Sequence, residues 1–195
     1  MKLRIIALTG LLALIITGCA TPLKMAPPSV LNLPEIKQLP HTSGLFIPQD
    51  LKDYVHIKVT SPVDKMTFPI GNQTSELFKK NMPLAFKTVV EVDSLSPGQD
   101  VDLIIKPSIV KFESRIPFPA YKPYTSTIVY RVEVYNKKGE KIYGQTTAGE
   151  GQTSKGLLSG FFARSLCAEA AQFAMADAVK QIVEGLAEAE ELEKL

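Results

Sequence analysis

The chain has 195 residues, of which 45% are hydrophobic, enough for one domain with a core of its own. Its 22 Lys and Arg side chains nearly balance 20 Asp and Glu side chains, which gives a net charge of +2 with both histidines neutral. Because no run of the sequence is rich in Lys or Arg, we expect no nucleic-acid partner.

The first 18 residues have the pattern of a secretory signal segment. Lys2 and Arg4 provide a basic start, and residues 5–16 form an apolar stretch that is too short to span a bilayer. Removing residues 1–18 leaves 177 residues and takes the 22 basic side chains to 20, equal to the acidic ones. The mature chain is therefore predicted to be formally neutral.

A cysteine follows this segment directly. Ile16, Thr17, Gly18 and Cys19 match, position by position, the lipobox that bacterial lipoproteins carry: a branched apolar residue, a small residue, Gly or Ala, then Cys. The resemblance implies that Cys19 carries diacylglycerol on its thiol and, after cleavage, a fatty acyl chain such as palmitate on its amino group. It also implies sorting to the outer membrane, because Ala20 and not Asp follows the cysteine. The alternative is an ordinary exported protein with a chance cysteine at this position.

Residues 19–50 are predicted to comprise the lipidated cysteine and a proline-rich tether. The stretch has no sustained apolar period, so we expect it to lie outside the core, with residues 45–47 as candidates for docking onto the domain. At about 3.1 Å per residue in the polyproline conformation, the tether would reach several tens of ångströms from the lipid. Its prolines are Pro22, Pro27, Pro28, Pro34, Pro40 and Pro48.

The folded domain is predicted over residues 51–187 and begins with a strand at residues 54–60. Val55, Ile57 and Val59 alternate there with polar side chains. Alternation of this kind is typical of a half-buried strand, so we expect the three apolar side chains to face the core.

A helix and two strands are predicted next. Residues 72–88 have an amphipathic pattern, with an interruption or bend expected before Pro83. Residues 89–93 form a short strand, and residues 100–116 form a long one. The apolar face of the long strand changes phase near Pro107, which predicts a bulge or an edge position there.

The clearest hairpin pairs residues 124–135 with residues 140–147, and Gly139 supplies a positive φ in the turn. A long helix is predicted over residues 165–186, and its alanines would allow it to pack closely on the covered face of the hairpin. The hairpin side chains expected on that face are Ile128, Tyr130, Val132 and Val134. The helix side chains expected to be buried are Cys167, Ala171, Met175, Ala178, Ile182 and Leu186.

These elements predict an α+β fold: an antiparallel or mixed sheet of about five strands with two helices packed on one face. Residues 188–195 are expected to be an acidic, fraying tail. With Cys19 consumed by lipid, Cys167 has no internal disulfide partner, and its helical setting predicts a buried, inert thiol.

No set of side chains in the sequence is typical of a catalytic, metal or cofactor site, so we do not expect an enzyme. His41 falls in the predicted tether, and His56 falls on the polar side of a strand. Asp100 and Asp102 could form an acid/base pair or bind a cation together. An enzyme that uses these two carboxylates is the least favoured hypothesis. Residues 149–156 cluster glycine and lysine in an order that a phosphate loop does not have, and are predicted to be a flexible connection.

Two apolar loops are candidates for contact with a partner or a ligand. The first contains Phe118 and Tyr121 between two predicted strands. The second, between glycines, contains Leu157, Leu158, Phe161 and Phe162. Exposed apolar loops mark contact sites. The alternative for both loops is a satellite core cluster beneath the sheet.

The lipobox, the proline-rich stretch and the order of elements together resemble small envelope lipoproteins of Gram-negative bacteria. Similar proteins are the lipopolysaccharide-assembly lipoprotein, the auxiliary lipoproteins of ABC-type lipid transporters and the periplasmic part of the curli-secretion lipoprotein. The resemblance implies an outer-membrane lipoprotein whose domain faces the periplasm. Its expected role is non-catalytic binding or scaffolding in an envelope assembly or transport system, with an envelope protein as partner. The alternative is a carrier of a lipid or another apolar ligand.

Overall fold

The structure is a computed structural model that describes residues 22–27, 29–34, 36–61, 64–96, 100–117, 122–153 and 162–194. Cys19 and the signal segment lie outside these residues. So do most of the predicted loop contacts, namely Phe118, Tyr121, Leu157, Leu158 and Phe161.

The described residues form seven strands and four α-helices. The strands are β1 (Leu39–Leu45), β2 (His56–Ser61), β3 (Asp64–Phe68), β4 (Phe86–Glu91), β5 (Leu103–Arg115), β6 (Thr125–Asn136) and β7 (Lys141–Gln152). The helices are α1 (Gln49–Lys52), α2 (Ile70–Asn81), α3 (Ala163–Ala187) and α4 (Glu190–Glu193), with a 3₁₀ turn at Met82–Leu84.

Five strands form the main sheet in the order β4-β1-β5-β6-β7. Strand β1 runs parallel to both β4 and β5, while β5, β6 and β7 are joined antiparallel. The predicted α+β class and the mixed five-stranded sheet are confirmed. The prediction of two helices is partly wrong, because the one-turn helices α1 and α4 accompany the two long ones. Strands β2 and β3 also form a second, two-stranded antiparallel sheet.

Strand β1 lies where the sequence predicts a tether. It occupies an inner position between β4 and β5, and Leu39 and Leu45 at its two ends are buried. The prediction that residues 20–50 lie outside the core is therefore wrong for this strand. Pro40 is accommodated because the pairing with β4 is irregular between Leu39 and Thr42, where a missing N–H costs no regular ladder bond.

Helix α2 ends where the sequence predicts an interruption. It ends at Asn81, and Pro83 falls in the following 3₁₀ turn. Proline has no N–H to donate to the preceding turn of an α-helix, so the helix cannot continue through it. Strand β4 then begins at Phe86, three residues before the predicted start at Val89.

Strand β5 carries its irregularity slightly later than predicted. Its pairing with β6 shifts between Ile109 and Lys111, which leaves the bulged Val110 exposed. Pro107 is paired with Val132 of β6, but β1 pairs only with the first three residues of β5. The other side of Pro107 is thus free of a strand partner, as a proline in a sheet requires.

The β6–β7 hairpin and helix α3 match their predictions closely. Gly139 has a φ of 79°, and the four predicted hairpin side chains and six predicted helix side chains are all buried. Helix α2 packs on the same face of the sheet, where the Thr74 and Tyr130 hydroxyls lie 2.7 Å apart. The two long helices therefore cover one face of the sheet.

Alternate glycines of β7 allow α3 to lie directly on the strand. A Cβ atom at Gly149 would be 2.1 Å from the carbonyl oxygen of Ala174, and one at Gly151 would be 2.0 Å from that of Ala170. No side chain fits in that space. The prediction of a flexible connection from residue 149 is wrong for residues 149–152, which belong to the strand; residues 154–156 lie outside the described part.

Candidate functional site

The described residues between 22 and 38, namely 22–27, 29–34 and 36–38, are called the strap here and lie against the domain instead of leaving it. At one end the Leu23 N–H donates to the Thr67 carbonyl of β3 over 2.8 Å, and Leu23 is buried. At the other end the Leu39 N–H donates to the Ala85 carbonyl over 2.8 Å. The strap is thus attached to the domain at both ends.

Polar side chains of the helices hold the middle of the strap. The buried Asn81 accepts the Leu31 N–H through Oδ1 at 2.7 Å and donates Nδ2 to the Ser29 carbonyl at 3.3 Å. Gln172 of α3 donates to the Ala26 carbonyl over 2.7 Å. Apolar strap side chains pack against the core beside these bonds: Met25, Leu31, Leu33 and Ile36. The predicted extended tether is therefore wrong for the described residues of the strap.

Strands β2 and β3, which we call the ribbon, pack with the opposite face inward from the one predicted. The His56 ring lies 5.9 Å from the Phe68 ring and 5.0 Å from the Phe112 ring, both edge to face. Lys58 also points inward, and its Nζ donates to the Ser114 carbonyl over 2.6 Å. Burial lowers the pKa of His56 below its usual 6.5. The prediction of a solvated His56 is therefore wrong.

The outward face of the ribbon carries the apolar side chains of Val55, directly before β2, and of Ile57 and Val59 within it, whereas Met66 and Phe68 of β3 are buried. Val55, Ile57 and Val59 are 48%, 56% and 62% exposed, although the sequence predicts them in the core. Lys65, directly opposite Val59 on β3, is exposed on the same face. Strict alternation shows which side chains share a face of a strand, but it does not show which face is covered. Here the long Lys58 stem and the His56 ring supply the apolar contact area.

Phe162 is the one predicted loop contact within the described residues, and its side chain is exposed. It directly precedes α3, and two residues later Arg164 forms an ion pair with Asp64 at the start of β3, with 2.6 Å between Nη2 and Oδ1. The start of α3 is therefore fixed beside one end of the ribbon. The role of Phe162 as a contact residue stays a prediction.

Asp102 and His41, two further candidates for chemistry, make structural bonds, whereas Asp100 is exposed. Asp102 accepts the Thr42 N–H at 2.8 Å and pairs with Lys137 at 3.0 Å, so its pKa is lowered, mainly by the Thr42 N–H. His41 lies in β1, not in a tether, and its Nε2 is 2.8 Å from the carbonyl oxygen of Leu192. Leu192 is fully buried, so the predicted fraying tail is wrong at this residue.

The two sheet edges differ in how they are covered. At β7 the Glu150 N–H donates to Asp177 of α3 at 3.1 Å, and Gln181 donates to the Ala148 carbonyl at 3.3 Å. These side chains occupy backbone groups that another strand would use. Within the described ranges, no strand pairs with the outer edge of β4.

A cleft of about 230 Å³ lies between the strap, α2 and α3, and its walls are mainly apolar. Ligand pockets usually measure about 300–1,000 Å³, so this cleft is small for a lipid. Its lining includes Ala26, Leu31, Leu77, Phe173 and Met175.

Cys167 is buried, as predicted, and burial raises the pKa of its thiol.

The part of the chain that the structure describes has neither a cluster of metal ligands nor a membrane-spanning helix. In that part, no three His, Cys, Asp or Glu side chains are grouped so that they could hold a metal ion. Likewise, no described helix combines the length and apolar composition that crossing a membrane requires.

Comparison with known proteins gives a likeness of fold. No family model and no curated protein matches the sequence. A crystal structure of a Xanthomonas campestris protein of family DUF330 matches with a TM-score of 0.58 and 12% identity, over 85% of this chain and 93% of that one. At this identity the match shows a shared fold and nothing about activity.

Two further solved structures are similar at a lower level. A minor lipoprotein from Acinetobacter baumannii matches with a TM-score of 0.44 and 10% identity, over 77% of this chain and 93% of that one. A hypothetical protein from Chlamydia trachomatis matches with a TM-score of 0.44 and 12% identity, over 78% and 100% of the two chains. TM-scores below 0.5 are too low to support an inference.

Proposed function

We propose that this chain is a lipid-anchored envelope protein, attached through Cys19, whose domain binds or scaffolds other envelope components without catalysing a reaction. One observation carries the proposal: the lipobox at residues 16–19 ends four positions before Leu23, where the chain is already bonded to β3. Cleavage after Gly18 would remove none of the described domain. The modified cysteine would then stand four positions before Leu23, which is already bonded to β3.

The outer-membrane location and the periplasmic orientation of the domain are inferred from the sequence. Ala20 after the cysteine favours the outer membrane, and the signal segment favours a domain that faces the periplasm.

Binding is favoured over catalysis because the candidate chemical groups are used in the fold. Asp102 bonds to Thr42 of β1, His41 bonds to the carbonyl of Leu192, and His56 packs against two phenylalanine rings. Binding is favoured over lipid carriage because the apolar cleft measures only about 230 Å³. A carrier needs space for acyl chains that this cleft does not provide.

The open edge of β4 is the surface that we propose for a protein partner. An unpaired edge can accept an added strand, which is a common mode of peptide recognition. Lys87 and Val90 of β4 are exposed, whereas the edge of β7 is occupied by side chains of α3. This difference between the two edges favours one site of strand addition.

Mass spectrometry of the protein extracted from membranes tests the anchor. We expect the mature chain to begin at Cys19 and to carry the mass of a diacylglycerol and an acyl chain. The Cys19→Ser protein should lack this mass and leave the membrane fraction. An unmodified Cys19 on a protein that washes off membranes would refute the proposal.

Site-specific photo-crosslinking in intact cells tests the partner surface. A photoreactive residue at position 87 on β4 should crosslink to one defined envelope protein. The matched control is the exposed Thr146 on β7, which should give no such product. Equal crosslinking at both positions, or none at position 87, would contradict the assignment to β4.

A further inference from the structure

We propose that the outward face of the ribbon, formed by Val55, Ile57 and Val59 with Lys65, lies against the lipid surface of the membrane that holds the anchor. This inference rests on the proposed lipidation of Cys19. It goes further because it gives the domain one orientation and assigns a role to side chains whose exposure the fold does not explain.

The short chain between the anchor and the domain limits where the domain can be. Cys19 and Leu23 are four positions apart, and an extended chain spans at most about 3.6 Å per residue, so at most about 14 Å separates them. A domain of about 170 residues has a radius of gyration of about 15 Å. The attachment point at Leu23 must therefore lie close to the bilayer surface, with the body of the domain beyond it.

The ribbon is next to that attachment point. Leu23 bonds to Thr67 of β3, and Thr67 is directly opposite Ile57 of β2. Neighbouring strands are about 4.8 Å apart, so two spacings, or about 10 Å, separate the chain at Leu23 from Ile57. A tether of about 14 Å cannot turn this edge of the domain away from the membrane.

The chemistry of the outward face suits a lipid surface. Val55 directly before β2 alternates with Ile57 and Val59 within it, so the three side chains form a stripe with a spacing of about 6.6 Å between neighbours. All three are β-branched hydrocarbon chains, and moving them out of water requires no polar group to lose a partner. Lys65 beside them has a long stem and a cationic end that can reach phosphate groups.

A second copy of the chain or another protein could also cover an apolar stripe. The membrane is favoured because the attachment point brings lipid to the ribbon without any further binding event. A protein would instead have to enter the narrow space between the domain and the bilayer. Protein coverage is therefore one of the outcomes that the following experiment can detect.

The test uses the full lipidated chain with an environment-sensitive nitrobenzoxadiazole label at Ile57→Cys. Cys19 is acylated and Cys167 is buried, so the new thiol is the one that reacts under native conditions. The labelled protein is reconstituted into phosphatidylethanolamine and phosphatidylglycerol vesicles with nitroxide-bearing lipids. Val59→Cys is a second reporter on the same face.

Val90→Cys is the matched control. Val90 is a comparably exposed valine, at 40%, and is in register with Ile104 of β5 through Gly44 of β1. The ribbon instead packs near Phe112, eight residues further along β5, which corresponds to about 26 Å. A label at position 90 should therefore stay in water.

We expect nitroxide lipids to quench the labels at positions 57 and 59 several-fold more than the label at position 90. Equal quenching at all three positions would overturn the inference. A label at position 57 that is shielded from water but is not quenched by the nitroxide lipids would also overturn it, because protein and not lipid would then cover the stripe. The mass of the reconstituted protein separates the two proposals. A lipid on Cys19 with equal quenching refutes the inference alone, whereas an unmodified Cys19 refutes both.

Discussion

Replacing Asn81 by alanine should release the strap from helix α2. The Asn81 side chain is fully buried and makes three hydrogen bonds: to the Leu31 N–H at 2.7 Å, to the Ser29 carbonyl at 3.3 Å and to the Leu77 carbonyl at 2.8 Å. Each bond contributes about 0.5–1.5 kcal/mol net, and a donor left without a partner adds a penalty of about 1–3 kcal/mol. We expect a loss of about 3 kcal/mol in unfolding free energy.

Two measurements check this loss. In a chain of this size about 3 kcal/mol should lower Tm by about 6–12 °C. In hydrogen exchange, the Leu31 amide should exchange about tenfold to a hundredfold faster, since a factor of ten corresponds to about 1.4 kcal/mol. Strap amides should be affected more than those of β6, because two of the three lost bonds hold the strap and the third lies within α2.

Gln38→Ala is the matched control for Asn81→Ala. Its exposed side chain joins the strap to the 3₁₀ turn after α2, donating to the Pro83 carbonyl at 2.6 Å. Because water can replace that bond, we expect a loss below about 1 kcal/mol. If Asn81→Ala behaved like Gln38→Ala, or left exchange at Leu31 unchanged, the strap would not depend on Asn81 and the reasoning would be refuted.

Three further changes test other parts of the structure. Gly149→Ala should lower the free energy of urea unfolding by about 3 kcal/mol or more, because its Cβ would overlap the backbone of α3. In the control Gly144→Ala the new Cβ comes close to the flexible Lys141 side chain, so the loss should be less than about 1 kcal/mol. Similar losses for the two variants would show that α3 does not lie on β7. The pKa of Asp102 is lowered from its usual 3.8, so the carboxylate stabilises the fold above that pH and this contribution is lost as the pH falls through the lower, folded-state pKa. Asp102→Asn should thus be less stable than the unaltered protein at pH 7 and nearly equal to it in strong acid; a difference that is the same at both pH values would contradict this role. Leu192→Ala should cost about 2–4 kcal/mol by thermal unfolding, and a neutral result would restore the interpretation of a fraying tail.

The β6–β7 hairpin and helix α3 could be predicted from the sequence because local signals determine them. Gly139 marks the turn, period-two alternation marks β6, and helical spacing marks the buried side of α3. In each case the local pattern fixes the type of element, and in β6 and α3 the apolar side is also the side that the fold covers. The contact between Gly149 and α3 depends on the packing of elements that are distant in the chain. From the sequence alone, the same glycine is therefore equally compatible with a loop.

Two errors share a physical cause, which is that local pattern does not reveal tertiary partners. Prolines made residues 39–45 resemble a tether, but β4 and β5 provide the pairing that keeps this segment in the sheet. In β2 the alternation is real, but Phe112 and Ser114 of β5 receive His56 and Lys58 and so determine which face is inward. The exposed stripe of Val55, Ile57 and Val59 was missed for the same reason, although the sequence identifies these residues as one face of a strand.

A lipid on Cys19 and a bonded strap together should hold the domain against the membrane. Neutron reflectometry of the lipidated protein in a supported bilayer tests this claim directly, with Cys19→Ser as the control for attachment. We predict protein density that begins at the lipid headgroups without a water layer. A water-filled gap of several tens of ångströms, as an extended tether over residues 19–50 would produce at about 3.1 Å per residue, would contradict the claim.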